Sequence, residues 1–235
     1  MSQMAWNILE TKAASADANM RLDEKLLEDL ADHNKPILHL YEWERESATF
    51  GYFLKPEELL NLEEAKKRGL DLARRPTGGG VVFHLWDLAF SVLVPVKSPL
   101  FSTNTLDNYN LVNQVVKEVV KEFIGSEELS ITPDDAPFQD LNCTHFCMAR
   151  PTKYDVMLSG KKIAGAAQRK TKDGFLHQGT IALLRPDEEL LAAVLPSVAV
   201  REAMKQTTFP LISQENLRKG RTQLCELLKR HFTKL

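Results

Sequence analysis

The chain has 235 residues, 43% of them hydrophobic, with 30 basic against 32 acidic side chains and a formal net charge of −2. That balance argues against nucleic acid or an anionic membrane as the main partner, and no apolar run approaches the roughly 18 residues of a membrane-spanning helix. Met1-Ser2-Gln3-Met4-Ala5-Trp6 has the character of neither a signal peptide nor a transit peptide, and three cysteines, an odd number, fit a reducing cytoplasm better than a disulfide framework.

From Asp17 to His33, Met20, Leu22, Leu26, Leu27 and Leu30 fall at helical spacing, with Asp17 as the expected cap. Residues 36–41 and 48–53 read as strands. Pro56 to Arg68 reads as a polar amphipathic helix with proline in its first turn. Residues 70–74 form a strand entering a glycine loop, and residues 81–84 and 88–95 form the strands that follow it. Leu106 to Phe123 is a long helix whose buried stripe is Leu111, Val112, Val115, Val116, Val119 and Val120. Residues 126–143 carry little pattern. Strands at 154–158, 163–169 and 175–184 are separated by a turn at Ser159-Gly160-Lys161-Lys162 and by the Asp-Gly hairpin signal of Lys172-Asp173-Gly174. Helices at 187–195 and 213–232 close the chain. Strand-rich halves flanked by helices predict an α+β fold, a mixed or antiparallel sheet with helices against it. The chain reads as a single domain over residues 1–235, with no separate accessory domain.

Four segments carry candidate chemistry. In Arg74-Arg75-Pro76-Thr77-Gly78-Gly79-Gly80-Val81-Val82-Phe83-His84, three of the eleven glycines are adjacent. They let backbone approach a ligand closely, and the arginines add charge and paired donors for a carboxylate or phosphate; the competing reading is a plain hairpin. Gly160-Lys161-Lys162-Ile163-Ala164-Gly165 sets a lysine beside a small-residue strand, where an apolar tail fits and an ammonium can polarise a carbonyl. Alone, it reads more readily as a hairpin turn with two solvated lysines. His177-Gln178-Gly179-Thr180 holds a histidine able to act as acid or base, although a histidine in a strand, like His84, is more often a satisfied core residue. Cys143-Thr144-His145-Phe146-Cys147 lacks the spacing of a zinc finger half, so no metal is expected; Cys147 is the candidate reactive thiol, against an ordinary free thiol.

In order, residues 74–84, Gly160 to Arg169 and His177-Gln178-Gly179-Thr180-Ile181 resemble the motifs of the lipoate-protein ligase A family. Asn19-Met20-Arg21-Leu22-Asp23-Glu24, Trp43 and Ser47 to Tyr52 add to the resemblance, which runs from about residue 5 to about 195. It implies the sheet domain shared with biotin-protein ligases and octanoyltransferases. The implied activity is attachment of an octanoyl or lipoyl group, in amide linkage, to a lysine of lipoyl domains: the E2 subunits of 2-oxo-acid dehydrogenases and the H protein of glycine cleavage. By position, Thr77, Gly78, Gly79 and Gly80 would line the acyl and phosphate site, with Arg75 at its rim and His84 beyond. Lys162 would contact the acyl carbonyl or adenylate, and Gly165, Ala166, His177, Gly179 and Thr180 would complete the substrate-binding set.

The family has two chemistries. Ligases use ATP and Mg²⁺ to form lipoyl-adenylate; octanoyltransferases need no cofactor and take the acyl group from acyl carrier protein onto a cysteine. Cys147, ahead of Pro151 and Tyr154, resembles the cysteine-proline-tyrosine spacing of the transferases, whereas Gly80 resembles the ligase loop. The few residues after the motifs are short for the accessory domain of a two-domain ligase. Thioester chemistry through Cys147 is therefore the favoured expectation, with Lys162 as the second catalytic residue. A non-catalytic lipoyl-binding protein is the alternative of another class.

Overall fold

The computed structural model describes residues 5–84, 87–126, 128–134, 141–185 and 187–235. Met1 to Met4 and much of the patternless segment 126–143, namely 127 and 135–140, lie outside the described residues, as does Pro186.

Among the described residues, ten strands form two sheets. β1 (Asn7–Glu10), β2 (Ile37–Leu40), β6 (Asp87–Pro95), β7 (Leu129–Ile131), β8 (Val156–Leu158), β9 (Lys161–Lys170) and β10 (Gly174–Ala182) make a seven-stranded sheet in the order β1-β2-β6-β10-β9-β8-β7. β1 and β2 pair in parallel and the other pairs are antiparallel. β3 (Ser47–Phe50), β4 (Asp71–Arg74) and β5 (Val82–His84) form a second sheet in the order β4-β3-β5. The helices are α1 (Ala16–Glu28), α2 (Leu62–Lys67), α3 (Thr105–Ile124), α4 (Glu188–Val194), α5 (Val198–Thr207) and α6 (Leu217–Phe232). The expected α+β fold with a mixed sheet is met.

α3 shows why these residues fold as they do. Asn104 caps its start, accepting from the Leu106 amide, and Gly125 ends it at φ 66, where its N–H reaches the Lys121 carbonyl. Val112, Val116, Val119 and Val120 are buried in one cluster with Phe90, Val92 and Phe175 of the sheet and Leu224 and Leu228 of α6. Each such side chain taken from water contributes about 1.5–3 kcal/mol, enough to outweigh the modest helix propensity of valine. Leu111 of the expected stripe is only half-buried, while Asn108 and Asn113 are buried on polar contacts: Asn108 bonds the Ser102 backbone and Asn113 the Tyr154 carbonyl.

Alternation in β6 and β10 sets up the site. Leu88, Phe90 and Val92 face α3, and so do Phe175 and Ile181. Ala89, Gln178 and Thr180 face the other way, into a cavity between the two sheets. Both strands are buried along their whole length, and β6 accordingly reads in sequence as a near-continuous apolar run.

Several boundaries differ from expectation. Ser15, not Asp17, caps α1; Asp17 instead pairs with Arg21 at 2.6 Å. The helix expected over 56–68 is a 3-10 turn at Pro56–Glu58 followed by α2, because Asn61 caps a new start by accepting from the Glu64 amide. Lys161 and Lys162, read as a turn, already belong to β9. β1, β7 and α5 carry too few residues in period to show in sequence.

Candidate active site

The glycine loop joins β4 to β5 and is held from within by Arg75. This guanidinium is 5% exposed and donates to the Thr49 carbonyl and hydroxyl and to the carbonyls of Gly78 and Gly80, at 2.8–3.0 Å. Gly79 has φ +84, and a Cβ there would lie 3.4 Å from Arg75 Nη2 and 3.8 Å from Cys147 Sγ. A Cβ on Gly80 would strike the His145 carbonyl carbon at 2.6 Å. The glycines therefore serve close approach as much as ligand access.

That approach fixes the cysteine. The Val81 amide donates to the His145 carbonyl at 2.6 Å, and the Cys147 amide donates to the Val81 carbonyl at 3.2 Å. Behind it, the Thr207 hydroxyl of α5 donates to the Met148 carbonyl at 2.5 Å. Lys162 reaches over from β9, its Nζ donating to the Cys147 carbonyl and pairing with Asp155 Oδ2, both at 2.7 Å. Asp155 Oδ2 also accepts from the Thr152 amide at 2.6 Å. Burial raises the Asp155 pKa, and Lys162 and Thr152 oppose the rise. Gly165 makes room for the pair, since a Cβ there would lie 2.4 Å from Lys162 Cε and 2.7 Å from Asp155 Oδ1.

Between the sheets lies a cavity of about 430 Å³, counting its opening, walled by Met20, Tyr41, Trp43, Val82, Ala89, Met148 and the small residues Gly165, Ala166, Ala167 and Gly179. A wider recess of about 780 Å³ meets it, lined by Gly78, Gly79, Gly80, Tyr109, Arg150, Thr152 and Gln168. Cys147, Lys162, Ala166 and Ala167 line both spaces, so the thiol and the ammonium stand where a narrow apolar slot opens to the surface.

Two carboxylate–histidine pairs brace the walls. His84 Nδ1 meets Asp87 Oδ2 at 2.7 Å while its Nε2 meets the Thr49 hydroxyl at 2.8 Å, and the ring stacks on Trp43 at 4.1 Å. Burial alone would raise Asp87, but His84, Thr180 and Arg221 outweigh it and its pKa is lowered. Asp23 accepts from Ser91 at 2.5 Å and from Gln178 at 2.7 Å and pairs with His39 at 2.8 Å. The Thr77 hydroxyl then donates to Gln178 Oε1 at 2.7 Å, tying the glycine loop to this network.

This geometry, a thiol and a buried lysine beside a glycine loop at the mouth of an apolar slot, suits acyl transfer. The family described as the lipoyl protein ligase A/B catalytic domain matches residues 15–233.

The chain belongs to that family.

It is 32% identical over 212 residues, 88% of this chain and 76% of the relative, to the octanoyltransferase LipM of Anoxybacillus flavithermus. Among solved structures it resembles a T. acidophilum protein with bound lipoic acid, at TM-score 0.66 and 26% identity over 97% of this chain and 86% of that one. It also resembles a lipoate-protein ligase A bound with ATP, at TM-score 0.63 and 27% identity over 98% and 86%. As a member of the lipoyl protein ligase A/B family the chain is an enzyme of the acyltransferase and ligase kind.

The structure brings Arg75, His84, Cys147, Lys162, Gly165, Ala166, Gly179 and Thr180 to the cavity wall and Gly78, Gly79 and Gly80 to the recess. Thr77 stands behind the loop, fully buried on Gln178. His177 does not line the cavity. It points to the α3 side, near Tyr109 and Phe90, with Nδ1 2.9 Å from Gln168 Nε2, and burial depresses its pKa to about 3. Asp155, Gln178, Thr49 and Asp23 were not singled out from sequence. Gln178, Thr49 and Asp23 lie within segments that carried the resemblance, and a carboxylate opening an otherwise apolar strand, as Asp155 does before Val156-Met157-Leu158, is the signal that could have found the fourth.

Proposed function

We propose that the chain transfers an octanoyl group from octanoyl acyl carrier protein to a lysine of lipoyl domains, through a thioester on Cys147. The single observation that carries this reading is the place of Cys147, where the apolar slot meets the open recess beside Lys162. An apolar slot walled by glycine and alanine suits an acyl chain, whose carbonyl would then lie at the thiol. The Cys147 thiolate adds to the thioester carbonyl, forming a C–S bond and an oxyanion. Collapse breaks the C–S bond to the carrier, whose departing thiolate takes up the proton that Cys147 gave to water. The acceptor lysine, as a neutral amine, then adds to the acyl-enzyme; a C–N bond forms, the C–S bond to Cys147 breaks, and the amine proton leaves to water.

Lys162 carries three N–H donors. Two are held by Asp155 and the Cys147 carbonyl, and the third serves the oxyanion. Donors placed in advance of charge development typically contribute 10²–10³ in rate. The acceptors under this reading are E2 and glycine-cleavage H lipoyl domains, and the setting is the cytoplasm. Residues 1–235 act as one catalytic domain.

Likeness to an ATP-bound ligase supports a second reading, ATP-dependent ligation through lipoyl-AMP. Gly78, Gly79, Gly80, Arg150 and Thr152 around the recess would then hold the phosphates of ATP, with Mg²⁺ supplying further charge neutralisation. Intact mass spectrometry separates the two. With octanoyl carrier protein, an octanoyl adduct labile to hydroxylamine and lost in Cys147→Ser supports the transferase. Absence of the adduct, with ATP-dependent lipoylation of a lipoyl domain, supports the ligase.

A further inference from the structure

An aromatic ridge stands beside the glycine loop and takes no part in the chemistry described above. Phe53 is 88% exposed, the most exposed large apolar side chain among the described residues, and Tyr52 next to it is 46% exposed. Their rings meet edge to face at 5.1 Å. The turn that carries them is held in place. Arg74 Nη1 donates to the Tyr52 and Leu54 carbonyls at 2.6 and 2.8 Å, and the Tyr52 amide donates to the Thr77 carbonyl at 2.9 Å. A Cβ on Gly51 would strike the Gly79 carbonyl, so the turn packs directly on the glycine loop. Rings fixed this way lose little freedom when a partner covers them.

Charge on the ridge is positive. Among the described residues Arg74 donates only to carbonyls and has no carboxylate at ion-pair distance. The Arg169 guanidinium lies 5.4 Å over the Tyr52 ring, with Glu24 at 3.8 Å as a loose, half-exposed partner. Lys55 is paired with Glu58 and adds no net charge. Two exposed aromatic rings beside two arginines make a surface that suits an apolar and acidic partner.

We propose that the Tyr52–Phe53 ridge, with Arg74 and Arg169, docks the lipoyl domain that accepts the acyl group, through apolar and acidic residues flanking its target lysine. This rests on the reading of the chain as an enzyme acting on lipoyl domains. Reach selects the acceptor over the carrier protein. The acceptor brings its amine to the acyl carbonyl on a four-carbon stem, so its backbone must settle on the rim of the site. A carrier's acyl group comes on a long flexible arm, which lets the carrier dock farther away. The ridge is one layer of chain from the thiol: Gly51 packs on Gly79, and a Cβ on Gly79 would lie 3.8 Å from Cys147 Sγ.

The test uses the full chain and a purified, unmodified lipoyl domain. Calorimetry gives the Kd for that domain, and intact mass spectrometry follows acylation by octanoyl carrier protein and transfer to the domain separately. Phe53→Glu should raise the Kd and lower kcat/KM for the lipoyl domain at least about tenfold, with acylation by the carrier staying within about twofold. Phe53→Lys should lose less than Phe53→Glu, because only the glutamate repels an acidic partner. At 88% exposure neither substitution burdens the fold. The proposal is overturned if Phe53→Glu binds and modifies the domain as wild type does, if the loss falls on acylation by the carrier, or if the lysine and glutamate variants lose equally. It is also overturned if sedimentation shows Phe53→Glu splitting a dimer of this chain while lipoyl-domain kinetics are unchanged. A wild-type chain that binds the lipoyl domain through Phe53 but modifies none would uphold the docking ridge and reject the transferase. One that modifies the domain with no dependence on Phe53 would do the reverse.

Discussion

Lys162 and Asp155 form a buried ion pair, Nζ to Oδ2 2.7 Å, and both residues are 2% exposed. Tyr154, at φ +69, turns the chain immediately before Asp155, and its amide and carbonyl are held by Thr132 and Asn113. The pair is preset by the fold, so disturbing its space should disturb catalysis before stability.

Gly165→Ala tests that space. The new Cβ would lie 2.4 Å from Lys162 Cε, and relief by displacing the lysine costs about 1–3 kcal/mol. Single-turnover acylation should fall roughly ten- to hundredfold, with far-UV circular dichroism unchanged. A wild-type rate would show that the position of Lys162 is unimportant.

Gly79 and Gly78 are adjacent but should respond differently. At φ +84 an alanine at 79 costs about 1–2 kcal/mol in backbone strain, in a turn that lies against Arg75 and Cys147. Gly78→Ala meets nothing within 4 Å and is not in the left-handed region. Acyl-enzyme formation should fail in the first and persist in the second. Equal loss in both would assign the loop to ligand approach instead of to packing.

His177 predicts a pH dependence of stability. Its pKa is depressed from 6.5 to about 3 by burial, so the folded state refuses a proton that the unfolded chain accepts. Stability should therefore fall as pH drops through that window, by about 2 kcal/mol between pH 7 and pH 5 from this group alone. Urea unfolding at the two pH values should show a slope shallower by that amount in His177→Asn. Identical slopes would mean that His177 titrates normally.

Thr207 ties α5 to the cysteine segment through the Met148 carbonyl. Thr207→Val keeps the shape and removes a bond contributing about 1 kcal/mol, so acylation should slow a few-fold while the KM for octanoyl carrier protein stays close to wild type. A change confined to KM would instead place α5 at the carrier-binding surface.

Much was legible in the chain itself. Adjacent glycines beside arginine and a lysine ahead of a small-residue strand are local patterns, because backbone approach and an apolar slot both demand small residues in a row. The long valine stripe of α3 and the paired strands β9 and β10 were legible for the same reason: period and turn chemistry are written in consecutive residues. Tertiary structure decided the rest. That Asp155 meets Lys162, that Gln178 links Thr77 to Asp23, and that His177 faces α3 while Gln178 faces the cavity depend on which strands are neighbours and on register. In β10, buried on both faces, sequence gives no polar side to orient by. The setting of Cys147, on one cavity wall with Arg75 and beside the Asp155–Lys162 pair, is likewise made by residues distant in the chain, and no stretch of sequence contains it.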